Sequence, residues 1–135
     1  MEKIDLTSTL EVIEDDFWGR APFFASGLVK RCHQLRKKRL KDFEAGDFRC
    51  LIGQKFSLEI LFPLAVDLLE QNPLIEGDFY PGDLLENCLK AHDGNDASTS
   101  RLISVCHTAS EELEKVDFVA ETLTEQISLF LEKET

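Results

Sequence analysis

The sequence predicts an all-α fold, a single compact domain of about six to eight helices spanning residues 1–135. Three observations carry this expectation. Apolar residues recur at helical spacing along nearly the whole chain, and no run alternates with the period of two that a half-buried strand needs. The 135 residues, 43% of them apolar and ten of them Phe, supply one hydrophobic core without a disulfide or metal staple. No internal repeat is visible.

Taken in order, Ile4 to Asp15 is expected to form a first helix with Leu6, Leu10 and Ile13 on one face. Phe17 to Phe24, with Trp18, Gly19 and Pro22, reads as a linker. Ser26 suits the N-cap of a second helix that buries Leu28, Val29, Cys32 and Leu35, because its side-chain oxygen can take a free amide of the first turn. Asp47 suits the cap of a short helix from Phe48 to Gln54 that buries Phe48, Leu51 and Ile52. Ser57 opens the most apolar helix, with Leu58, Leu61, Phe62, Ala65, Leu68 and Leu69 inward. Pro63 lies inside it and should kink it or mark a fresh start. Asn72-Pro73 ends it, since a residue before proline avoids the α region.

Residues 76–83 read as an ordered turn feeding a helix from Asp83 to Ala91, and residues 92–100 as the most flexible stretch. Beyond it, Leu102, Cys106, Ala109, Leu113, Val116, Ala120, Leu123, Ile127 and Phe130 alternate in steps of four and three. Read literally, that is one heptad helix over residues 101–133. So long a helix does not suit so small a domain. Asp117 can cap a second helix after a break near Lys115, so two helices are favoured.

The formal net charge of −11 is unevenly spread: residues 1–41 carry +3 and residues 42–135 carry −14. Such a field repels nucleic acid and anionic membranes and attracts cationic partners, although solubility alone also accounts for an acidic surface. Lys30, Arg31, Arg36, Lys37, Lys38, Arg39 and Lys41 form a basic cluster that would suit nucleic acid. No aromatic residue is interleaved with it, and the rest of the chain is acidic. Those cations are therefore expected to pair with the protein's own acids, and neither nucleic acid nor membrane is an expected partner.

The four cysteines, Cys32, Cys50, Cys88 and Cys106, sit in apolar helical stretches with no CxxC pair, as free buried thiols of a reducing cytoplasm do. The N-terminus has no apolar signal-peptide core. The longest apolar run, Ile60 to Val66, is far short of a membrane span.

No constellation points to catalysis or to a cofactor. Cys32-His33 and Cys106-His107 are adjacent pairs, and neighbours on a helix point about 100° apart, so neither chelates a metal alone. Two such pairs could form a Cys2His2 site only by meeting across a helix interface. The same geometry opposes a cysteine–histidine nucleophile. Glu59 and Asp67 lie in apolar surroundings but on the solvent side of their helix. Asp93-Gly-Asn-Asp lacks the spacing and terminal Glu of a calcium loop, and no phosphate-cradling glycine loop is present. The chain is expected not to be an enzyme, with no metal and no cofactor.

Three segments together form a recognisable pattern: DFRCLIGQ at residues 47–54, ILFPLA at residues 60–65, and NPLIEGDFYPGDLL at residues 72–85. They resemble the immunity proteins of bacterial contact-dependent growth inhibition systems. Trp18-Gly19 and the run from Cys32 to Arg36 are similar to the same family, and the resemblance covers about residues 6–90. Residues 91–135 read as a variable helical part of the same domain. Two local departures are Ser57 where glycine is expected, and Arg20-Ala21-Pro22 where an acidic residue and proline are expected.

The resemblance implies a cytoplasmic protein that neutralises the C-terminal toxin domain of an effector delivered by a neighbouring cell, as a 1:1 heterodimer. A nuclease, most often of RNA, is the toxin it implies, and an acidic partner can be steered to the cationic cleft that such an enzyme needs. Because immunity proteins discriminate among toxins, motif residues Phe79, Tyr80 and Pro81 are expected to fold the loop against the core. The toxin-binding candidates are the flanking acids Glu76, Asp78, Asp83 and Glu86, and the acids outside the motif, Asp93, Asp96, Glu111, Glu112, Glu114 and Asp117. The alternative is an acidic helical adaptor for a basic host protein. Gene neighbourhood separates the two, because an immunity gene lies just downstream of a very large secreted-protein gene.

Overall fold

A computed structural model describes residues 4–92, 98–114 and 121–134. Among them are seven α-helices and one short 3-10 turn: α1 (Leu10–Ile13), α2 (Gly27–Leu35), the turn Leu40–Asp42, α3 (Ala45–Gly53), α4 (Leu58–Gln71), α5 (Asp83–Ala91), α6 (Thr99–Leu113) and α7 (Glu121–Glu134). The all-α expectation holds for a single compact domain, and the helix count falls in the expected range. Strand-like pairing among the described residues is confined to the isolated bridges Thr9–Arg39 and Glu76–Pro81.

The first helix is shorter than expected, because residues before it use their backbone elsewhere. Leu40 donates its N–H to the Ser8 carbonyl and Lys41 to that of Leu6, at 3.0 and 2.8 Å. Thr9 then sits in extended conformation and accepts from the Val12 amide, which starts α1 there. Leu10 is fully buried while Leu6 and Ile13 stay largely exposed. α2 starts as expected, with the Ser26 hydroxyl accepting from the Val29 amide at 3.2 Å. Its inward stripe holds only over the C-terminal half: Cys32 and Leu35 are buried, but Leu28 and Val29 are 42% and 41% exposed.

α3 begins earlier than Phe48. Glu44 is its N-cap, and Asp47 lies one turn in, its carboxylate accepting from the Glu44 amide at 2.9 Å. The expected cap is thus the reciprocal member of the capping pair. α4 runs without a break through Pro63 and ends at Asn72, whose backbone is extended before Pro73. α5 occupies the expected residues. Thr99 and Ser100, expected to be loop, open α6 instead.

The C-terminal stripe belongs to two helices. Ser110 and Leu113 share a groove with Thr124 and Ile127, which one straight helix could not bring together. Leu102, Cys106 and Ala109 from α6 and Leu123, Ile127 and Phe130 from α7 are all buried in one cluster with Leu10, Phe48, Phe62 and Leu84. Val116, Ala120 and the proposed Asp117 cap lie outside the described residues. In the packing order α2 rests on α3, α3 on α4 and α5, α7 on α5 and α6, and α6 on α4.

Candidate protein-binding surface

The motif at residues 72–85 is folded by one carboxylate. Asp83, 1% exposed at the start of α5, accepts from three consecutive amides: Gly77 at 2.6 Å, Asp78 at 3.0 Å and Phe79 at 2.9 Å. A buried carboxylate needs such donors, and these three leave it no surface role. Gly82 donates to the Leu74 carbonyl at 3.0 Å and closes the loop. Its φ of +92° suits glycine, and a Cβ there would strike the Leu123 side chain of α7. Gly46 lies close on the other flank, where a Cβ would stand 2.5 Å from an Asp78 carboxylate oxygen and push that side chain aside.

Around this loop the cations of α2 and α3 find their partners. Arg31 bridges Asp78 at 2.9 Å and Asp47 at 3.3 Å, Lys38 reaches Asp47 at 2.7 Å, and Arg49 reaches Asp78 at 2.6 Å. Burial alone would raise the Asp47 carboxyl's pKa. The bonds from Lys38, the Glu44 amide and Arg31 outweigh it and hold that carboxyl below the usual range. Asp78 is likewise held low, against burial, by Arg31 and Arg49. Arg36 is 2% exposed, donating to Glu14 and to the Asp16 carbonyl, each at 2.7 Å, with its guanidinium 4.5 Å from the Trp18 ring centroid. The expected self-pairing of the basic cluster is therefore observed for Arg31, Arg36 and Lys38.

The candidate acids separate by accessibility. Asp83 and Glu86 are interior, at 1% and 3% exposed, and Glu86 faces Lys90 at 3.8 Å. Both are corrected from toxin-facing candidates to structural groups, because the chain itself covers them. Asp78 keeps part of its side chain in solvent but is held by two arginines. Glu76, Glu111, Glu112 and Glu114 are exposed, and none forms an ion pair among the described residues. Asp93, Asp96 and Asp117 lie outside the described residues. Glu59 and Asp67 are on the solvent side of α4 as expected. Arg101 of α6 holds Asp67 and Glu70 together, and its bonds lower the Glu70 pKa.

One expectation about an apolar group needs correcting. Phe79 does not fold onto the core: it is 70% exposed, with the Arg49 guanidinium 4.6 Å from its ring centroid. The linker between α1 and α2 is non-helical as expected, and it carries two exposed aromatic rings. Phe23 and Phe24 stand 90% and 79% exposed, their rings edge to face at 5.5 Å, beside the exposed half of α2. Next to them Arg20, Lys30, His33 and Lys37 help line a concavity of about 340 Å³. Lys30 and Lys37 are exposed and make no ion pair among the described residues. The available signal was Phe23-Phe24 itself, a pair of large apolar residues in a segment with no helical register.

The cysteine–histidine pairs separate. Cys32 is buried next to Cys50, and burial followed by that neighbour pushes its thiol up to about 11. Burial alone pushes Cys106 up to about 12. Both are poor nucleophiles at neutral pH. His33 lies 3.2 Å from the Gly19 carbonyl oxygen and packs edge-on to Trp18, while His107 faces solvent. Among the described residues no cluster of three or more His, Cys, Asp or Glu is placed to hold a metal, and no helix is long and apolar enough to cross a membrane.

No curated protein and no solved structure matched the chain. A family model did, described as CDI immunity proteins, over residues 12–103, about two-thirds of the chain. The match runs from α1 through the arginine network and the Asp83-held loop into α6. The chain belongs to the family of immunity proteins of contact-dependent growth inhibition (CDI) systems.

Proposed function

We propose that this protein is a cytoplasmic inhibitor, without catalytic activity of its own, that binds the C-terminal toxin domain of its cognate effector one to one. The toxin on this reading is a nuclease, of RNA, and inhibition works by covering its cationic active site or the approach of its substrate. One observation carries the reading beyond the family: exposed, uncompensated acids in a chain of net charge −11. Glu111, Glu112 and Glu114 end α6 together and Glu76 stands at the motif loop. A nuclease cleft built for phosphates attracts such a surface, and carboxylates can occupy the places of phosphates. Asp93, Asp96 and Asp117 extend the same proposal along the sequence.

The test is to mix the protein with the purified toxin domain encoded just upstream of its gene and follow RNA cleavage. Inhibition that saturates at one equivalent supports the reading, and an uninhibited toxin sinks it. Replacing Glu111, Glu112 and Glu114 together with Gln should slow association about tenfold at low salt. An unchanged rate would remove these acids from the interface.

A further inference from the structure

The acids account for attraction but offer little to hold a partner, because exposed charge mainly sets association rates. The anchor lies elsewhere on the surface. Phe23 and Phe24, 90% and 79% exposed, present on the order of 300 Å² of aromatic surface, the size of the patches that monomers often use in function. Leu28 and Val29, four to six residues further along the chain in α2, are also exposed, on the same helical stripe as buried Cys32 and Leu35. The stripe thus leaves the core and continues onto the surface. Trp18 and Phe56 join Leu28 and Val29 in lining a second concavity of about 240 Å³, which shares His33 with the one beside Phe23.

The rim of this face has the opposite sign to the protein as a whole. Arg20, Lys30 and Lys37 line the concavity beside Phe23, and none is paired within the chain's described residues. The neighbouring cations Arg31, Arg36 and Lys38 all have internal carboxylate partners, whereas the three that line the concavity beside Phe23 have none among the described residues. An apolar centre with a cationic edge fits a protein segment that carries an apolar side chain beside Asp or Glu.

We propose that the exposed Phe23–Phe24 pair, with Arg20, Lys30 and Lys37 beside it and the exposed Leu28 and Val29 of α2, is the anchoring surface for the toxin domain. What lands on it is an acidic, apolar-tipped segment of that domain, distinct from its cationic cleft. The proposal rests on the immunity reading and names the surface that holds the complex together.

The experiment measures binding of the purified upstream-encoded toxin domain to the native protein and two variants. Phe23→Ser with Phe24→Ser should raise the dissociation rate at least about tenfold. Lys30→Glu with Lys37→Glu should weaken affinity about fivefold or more. This second variant decides by sign: if only the protein's overall negative field mattered, adding four units of negative charge would speed capture of a cationic toxin and tighten it. All four side chains are exposed, so thermal unfolding should match the native protein and exclude misfolding as the cause. Amide exchange on complex formation provides a second reading, with protection expected over residues 19–30. Binding by the native protein that both variants retain unchanged, or protection that spares residues 19–30, overturns the proposal alone. A native protein that fails to bind overturns the immunity reading and this proposal together.

Discussion

A single carboxylate, Asp83, does more for the motif loop than any of its aromatic residues. It accepts hydrogen bonds from three successive amides of the loop, those of Gly77, Asp78 and Phe79. Asp83→Ala should lower unfolding stability by about 3 kcal/mol in urea titration, because it strands buried donors. Asp83→Asn, which keeps one acceptor oxygen, should cost less. The sequence places Asp83 at the right helix end, yet shows its exposure the wrong way round: an N-terminal acid reads as a surface cap until the chain is seen folding back over it. The Phe79 expectation fails for the converse reason. An aromatic residue in a family motif suggests core, yet the Phe79 ring is 70% exposed, with the Arg49 guanidinium against one of its faces. Asp47 and Asp78 carry a pH dependence. Their folded-state pKa values lie below the ordinary 3.8, so the stability they contribute is full above that value and is lost as pH falls through the lower, folded values. Thermal unfolding from pH 5 down to about pH 2 should therefore fall more steeply for the native protein than for an Asp47→Asn, Asp78→Asn variant; parallel slopes would show the pairs to be energetically idle.

At the scale of elements, helix periodicity located α2, α4 and α5, whereas it read the C-terminal third as one helix and the small size of the domain favoured two. It failed where backbone pairing or surface truncation intervenes. Residues 4–9 carry an apolar spacing suited to a helix, but their carbonyls are taken by Leu40 and Lys41. The α2 stripe is correctly periodic, but the core reaches only its second half, and spacing alone does not show where coverage stops. The contact between Gly82 and Leu123 joins the motif loop to α7. Gly82→Ala should cost roughly 2 kcal/mol or more, since it combines a left-handed backbone with overpacking against α7. A shorter residue at Leu123 should relieve part of that cost in a double variant, measured as non-additive stability.

For the molecule as a whole, the charge pattern divides into two kinds of acid and two kinds of cation. One set is paired: Asp47, Asp78, Arg31, Lys38 and Arg49 join α2, α3 and the motif loop, and Arg36 ties the end of α2 to Glu14 and Asp16. The other forms no ion pair among the described residues, and includes Glu76, the acids ending α6 and the cations around Phe23. Sequence counting gives the sum of these sets and cannot separate them, because pairing is a matter of distance. Only the second set is available to a partner, and it carries the central claim that this chain captures a toxin domain by charge and holds it by contact. The most direct measurement is the association rate with the upstream-encoded toxin domain, followed as salt rises from about 0.01 M to about 1 M and the screening length shrinks from about 30 Å to about 3 Å. A stable complex whose association slows steeply with salt while its dissociation changes little is the expected result. No complex at any salt, or an association rate indifferent to it, would contradict the claim.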